Sequence, residues 1–115
     1  MNRTSILTDT HQGQISLKIS GTVTNRDLGF FIPQLIEASI EYPTQMVQLD
    51  FFDSMPRMEL MDIYDIVNTF EQMDFSKELK VFIVPSNQKV YEDFFSFFER
   101  VFSNKGFSVM IAEPI

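Results

Sequence analysis

The chain contains no cysteine and no tryptophan, a single histidine and only four glycines among its 115 residues. Without cysteine there is no disulfide scaffold, no thiol nucleophile and no zinc–thiolate site. Basic residues are scarce too: nine Lys and Arg stand against sixteen Asp and Glu, a net charge of −7. That balance argues against nucleic acid, because holding a phosphate backbone needs a basic surface. It argues equally against an anionic membrane surface. Residues 1–12 have no apolar stretch of the signal-peptide kind, and no apolar run approaches the ~18–20 residues that cross a bilayer. The expected setting is a bacterial or organellar cytoplasm, with neither nucleic acid nor membrane as partner. Asn2-Arg3-Thr4 is a formal glycosylation sequon and, in that setting, a chance match.

What the chain does have is apolar bulk. Hydrophobic residues make up 44% and charged residues 22%, the proportions of an ordinary globular protein. Thirteen Phe and seven Met dominate the apolar set. Aromatic rings bury large areas and Met fills irregular gaps, so a Phe-rich core is expected. There is no repeat, low-complexity tract or linker, and residues 1–115 read as one domain. A chain of this size buries roughly two-thirds of its unfolded surface and needs no metal or disulfide to fold.

Residues 4–9 suit an edge strand, and His11-Gln12-Gly13-Gln14 a turn. Ile15, Leu17 and Ile19 alternate with Ser16, Lys18 and Ser20, the period of a half-buried strand that pairs antiparallel with the first. After Gly21 the period becomes helical. Thr24 and Asp27 have the spacing of a helix start, and Leu28, Phe31, Ile32, Leu35, Ile36 and Ser39 follow on one face. Pro33 lies inside this pattern and is expected to kink or split the helix, which Tyr42-Pro43 closes. Residues 46–52 read as a strand ending at Asp53-Ser54, and residues 56–74 as a second helix with Leu60, Ile63, Tyr64, Val67 and Phe70 inward. Residues 79–84 are almost wholly apolar, as in a strand covered on both faces. Residues 88–104 form a third helix, stopped at Lys105-Gly106, and residues 107–112 the last strand. The order is β-β-α-β-α-β-α-β: an α/β fold with a mainly parallel mixed sheet, one antiparallel edge, and helices packed on the sheet.

This order resembles the STAS fold of sulphate transporters and anti-sigma-factor antagonists, and more closely its SpoIIAA-like branch, also labelled STAS/Sec14-like. Three stretches carry the likeness. Residues 21–28 (Gly-Thr-Val-Thr-Asn-Arg-Asp-Leu) are similar to that branch's strand-to-helix turn. Pro33-Gln34-Leu35-Ile36-Glu37 resembles its proline-bearing helix, and Leu49-Asp50-Phe51-Phe52 its second parallel strand. The resemblance implies a fold, and a partner surface at the turn and helix start between Asp53 and Met61. STAS antagonists carry an Asp-Ser-Ser-Gly-type turn whose serine is phosphorylated. Here Asp53 and Ser54 match its first two positions, but Met55 stands at the phospho-acceptor position and Pro56 at the glycine. The likeness therefore does not carry over a phospho-switch of that kind.

No catalytic, metal or cofactor site emerges from the residues. Asp50, Asp53, Glu59 and Asp62 supply carboxylates of the kind Mg²⁺ accepts, but no Gly-rich phosphate loop accompanies them, and a strand-end turn with a solvated helix face explains them. Ser54 reads as an N-cap, with Pro56 in the first turn, rather than as a nucleophile or phosphorylation site. His11 is in a hairpin at the far end of the domain, away from Ser54. Ligands of open parallel sheets sit beyond the carboxyl ends of the strands. Here those ends are Thr24-Asn25, Asp53-Ser54 and Ser86-Asn87, all small, polar turn formers.

Two apolar features remain. On the third helix Tyr91, Phe94, Phe95, Phe98 and Phe102 form one stripe, and Val90, Phe97 and Val101 a second beside it. Together they are wider than the face a helix buries on one sheet. Either the helix is flanked on two sides, or Phe94, Phe97, Phe98 and Val101 form an interface, most simply of a homodimer. Met55, Met58 and Met61 cluster at the start of the second helix, either as loose packing or as an adaptable partner surface with Asp53 and Ser54. The expected function is a non-enzymatic protein-interaction or regulatory module that binds a protein partner or itself. The alternative is a carrier or sensor of a small apolar, lipid-like ligand, held between the third helix and the sheet.

Overall fold

The alternation Ile15, Leu17, Ile19 is buried residue by residue, while Ser16, Lys18 and Ser20 between them are wetter, so one side of this strand meets a core and the other does not. A computed structural model of the protein describes residues 3–9 and 13–112, with side chains from residue 13 onward. The His11-Gln12 part of the expected turn, and His11 itself, lie outside the described residues. The elements are β1 (Arg3–Asp9), β2 (Gln14–Thr24), α1 (Asn25–Glu41), β3 (Met46–Arg57), α2 (Leu60–Gln72), β4 (Lys80–Val84), α3 (Glu92–Asn104) and β5 (Ser108–Ile111). A single 3₁₀ turn, Lys89–Tyr91, leads into α3. The sheet order is β1-β2-β3-β4-β5. β1 pairs antiparallel with β2, and β2 through β5 run parallel to one another.

Sequential order with right-handed crossovers places all three helices on one face of the sheet. α2 packs between α1 and α3 on that face. The core is the single layer between: Ile15, Leu17, Ile19, Val47, Leu49, Phe51, Val81 and Ile83 from the strands meet Leu28, Ile32, Leu35, Ile36, Ile63, Ile66, Val67 and Phe70 from α1 and α2. α3 adds Phe95, Phe98 and Phe102. Phe51 packs on Phe95 and Phe98 at 5.2 and 6.0 Å between ring centroids, and Phe98 stacks on Phe102 at 5.3 Å.

Several local expectations need correction. β4 is covered on one face only: Val81 and Ile83 are buried, while Lys80 is exposed and Phe82 and Val84 are part-exposed. Apolar content read as two-sided burial, but a two-layer fold has only one inside face. α1 is one continuous helix through Pro33. The carbonyl that loses its helical donor to Pro33 belongs to Gly29, four residues earlier and exposed, so water can replace the missing bond. The Thr24–Asp27 capping box at its start is present, with Thr24 N donating to Asp27 Oδ2 at 2.9 Å and Asp27 N to Thr24 Oγ1 at 3.3 Å. On α2, Leu60 and Tyr64 face out, and Ile66 takes the inward place.

Candidate functional site

The largest departure from the sequence reading lies in β3. Lys18 pairs with Asp50 but Ser20 pairs with Asp53, so β3 carries one extra residue between those points, a bulge. The insertion reverses which residues face the core. Val47, Leu49 and Phe51 are buried before it; Ser54 and Pro56 are buried after it, and Asp53, Met55 and Arg57 turn outward. Asp50 Oδ1 accepts from the Phe52 N–H at 3.0 Å. β4 accompanies β3 only to the Asp50–Val84 pair. Past it β2 and β3 continue as a two-stranded ribbon, Ser20–Thr24 beside Asp53–Arg57, and Gly21 takes φ +77 opposite Ser54. A proline is tolerated at Pro56 because β3 is an edge strand there.

The loop that follows β4 is fastened across this ribbon. Asn87 N donates to Phe52 O at 3.0 Å, and the Ser86 hydroxyl donates to Ser54 O at 2.7 Å while accepting from Gln88 N at 3.3 Å. Ser54 is only 1% exposed, and its hydroxyl donates to Phe51 O at 2.8 Å. It therefore neither caps α2 nor belongs to an exposed partner surface, as the sequence had suggested. α2 starts six residues later: Glu59 precedes it, and its N–H donates to Asp62 Oδ2 at 2.9 Å. Asn25 Nδ2 reaches Asp62 Oδ1 and Asp65 Oδ2, both at 3.3 Å, and ties the start of α1 to α2.

The remaining expected partner residues divide among three settings. Asp53 and Met55 are exposed on the outward side of the ribbon, Met58 packs against the core, and Met61 is 69% exposed in the first turn of α2. The third-helix interface is corrected more sharply. Phe94, Phe98 and Val101 are buried, and of the four only Phe97 is partly exposed, packed at the edge of the core and edge-on to Tyr64 at 5.6 Å. The wide apolar face arises because α3 packs on the sheet and flanks α2 at the same time. Val90, the outermost member of the second stripe, is 79% exposed in the 3₁₀ turn.

A cleft of about 610 Å³ opens at the carboxyl ends of β3, β4 and β5. Phe52, Val84, Pro85, Phe95 and Ala112 form its apolar walls, and Lys89 and Glu92 are its charged lining residues. The rule that ligand sites lie beyond strand ends pointed to this end of the sheet. The sequence at these strand ends shows only polar turn formers, and the apolar walls come together through packing of α3 and β5 beside them. Among the described residues no group of three or more His, Asp or Glu is placed to hold a metal ion, and no helix is long and apolar enough to cross a membrane.

No family model and no curated protein matches the chain. Solved structures do. The anti-sigma factor antagonist SpoIIAA, in its unphosphorylated form, matches with a TM-score of 0.59 at 9% identity, over 96% of this chain and 90% of that one. A protein of the DUF3478 family from Shewanella loihica PV-4, described as having a SpoIIAA-like fold, matches with a TM-score of 0.57 at 16% identity, over 98% and 86% of the two chains. With the strand order and the three helices on one face, these matches establish that the chain has the STAS, SpoIIAA-like fold.

Proposed function

We propose that the protein is a non-enzymatic interaction or regulatory module of STAS type, with its partner surface at the ribbon and the start of α2. The observation that carries this reading is the exposure of Leu60 and Met61 on α2 and Met55 on the ribbon, at the end of the sheet from which the ribbon projects. Exposed Met and Leu side chains at an element end adapt to a partner's shape. The anti-sigma factor antagonist that shares the fold is itself, by its description, a protein that acts on another protein.

The test is photocrosslinking in the native host from a reactive residue placed at position 61, with position 78, exposed in the connection between α2 and β4, as a control. A defined adduct from 61 alone supports the reading. Absence of any adduct from 61, or equal labelling from both positions, overturns it.

A second reading rests on the cleft: it takes a small apolar ligand. The space between α3 and the sheet is filled by Phe51, Phe95, Phe98 and Phe102, each at most 1% exposed. The cleft beside Phe52 and Val84 has the volume and apolar walls of a small-molecule site. Native mass spectrometry of protein purified from its own host decides this: an added mass of a few hundred daltons, lost on denaturation, favours the ligand, and a bare chain mass removes it.

A further inference from the structure

We infer that what binds at the start of α2 is a basic amphipathic helix of a protein partner, laid along the seam between α2 and α3. This rests on the partner surface proposed above and adds the chemistry of its occupant. The apolar part of the surface is a strip that crosses from one helix to the other. Leu60, Met61 and Tyr64 are exposed within one turn of α2, and Tyr64 meets the partly exposed Phe97 of α3 edge-on at 5.6 Å. The other large exposed apolar residues within the helices, Phe30 and Ile40 on α1, stand about 15 Å apart along the axis and form no strip. Leu60 and Tyr64 are separated by about 6 Å, the rise between positions i and i+4 of a partner helix. Two helices packed side by side leave a furrow between their ridges, and a third helix fits along it.

Charge selects the partner. The three helices hold nine Asp and Glu against two basic residues, Arg26 and Arg100, so the chain's whole net charge of −7 resides in them. The strands and connections balance to zero. Because all three helices cover one face of the sheet, the negative field is concentrated on the side that carries the strip. α2 is the most acidic, with Asp62, Asp65 and Glu71 and no basic residue. Two exposed carboxylates border the strip: Asp65, one turn on from Met61, and Asp93, one turn before Phe97. Arg100, one turn past Phe97, is the cation next to them. Lysines or arginines flanking the apolar stripe of a partner helix meet Asp65 and Asp93 as the stripe covers Leu60, Met61 and Tyr64. The same field repels a second copy approaching through its own helices, and it repels an anionic lipid surface.

The experiment measures binding of two synthetic helical peptides of about 18 residues to the full chain by fluorescence anisotropy. Both carry the same leucine stripe; one is flanked by lysines and the other by glutamates. The lysine peptide is expected to bind at least about tenfold more tightly at about 25 mM salt, and to lose most of that advantage by about 250 mM. Asp65→Asn combined with Asp93→Asn is expected to weaken it several-fold at low salt, and Met61→Gln to weaken it at both salt concentrations. Glu37→Gln combined with Glu41→Gln removes as much charge from exposed positions of α1 and is expected to leave binding within about twofold. All five side chains are exposed, so the variants are expected to melt with the wild type. No binding of the lysine peptide, equal binding of the two peptides, or equal sensitivity to the two charge pairs overturns the inference. A defined adduct from position 61 in the host, without a preference for the lysine peptide, overturns this inference alone. Absence of that adduct overturns the partner surface beneath it.

Discussion

Phe82 and Ile83 are neighbours on β4, yet Ile83 is sealed against the helices and Phe82 meets solvent on the other face. Phe97 and Phe98 repeat the contrast on α3: Phe98 is fully buried against Phe51, while Phe97 is only partly buried, against Tyr64. Residue type does not separate these pairs. The number of layers does, because a sheet with helices on one side has a single interior whatever its strands are made of. The interior is closed and uses rings as packing. The outer face and the ribbon carry apolar groups, such as Met110, Phe52 and Met55, that stay exposed.

The strongest way to break the comparison is to empty the interior. Phe98→Ala removes a ring that touches Phe51, Phe94 and Phe102, and is expected to cost about 3–5 kcal/mol. For a chain of this length that lowers the melting temperature by more than ~10 °C. Phe97→Ala should cost less, since that ring is only partly buried and packs at the edge of the core against Tyr64. Equal losses in thermal or urea melts would show that the layer argument is wrong for α3.

Ser54→Asp is next. It places a carboxylate at a buried site where a hydroxyl donates to Phe51 O, and an ionised carboxylate has no proton to donate. A loss of about 3 kcal/mol is expected, against about 1 kcal/mol for Ser54→Ala. If chemical denaturation finds Ser54→Asp within 0.5 kcal/mol of wild type, residue 54 is accessible and a phosphorylation site there returns to consideration.

The contrast between interior and ribbon also explains which parts of the fold were legible. Period-2 burial in β2 and the Thr24–Asp27 box are local signals, and they gave the element order correctly. The β3 bulge is not local. Asp53-Ser54-Met55-Pro56 has the composition of a turn, and only pairing with Ser20–Thr24 of β2, about thirty residues earlier, keeps it extended. The one-residue insertion then flips every following side chain, so Ser54 goes in and Met55 out, the opposite of an exposed Ser54 in a turn. Likewise the helical period of α3 showed two apolar stripes, but their separate destinations, sheet and α2, follow from tertiary packing.

A smaller effect is expected at the start of α1. Thr24→Ala removes the oxygen that accepts from Asp27 N while leaving the ribbon's ladder intact, and should cost about 1 kcal/mol in denaturant melts. A loss above ~3 kcal/mol would mean that the end of the ribbon is part of the core rather than a projection from it.

Met61→Asp sharpens the comparison most because its expected effect on the fold is close to nothing. The side chain is 69% exposed in the first turn of α2, where an added carboxylate sits favourably with the helix dipole. Stability in urea should therefore stay within about 0.5 kcal/mol of wild type. The same carboxylate cannot be buried in an apolar contact without losing its water, so a partner seated on Leu60 and Met61 should bind at least tenfold more weakly. Crosslinking from position 64, one turn further along α2, reads that change without altering the probe site itself. A crosslink from 64 that survives Met61→Asp undiminished would remove the start of α2 from the partner surface.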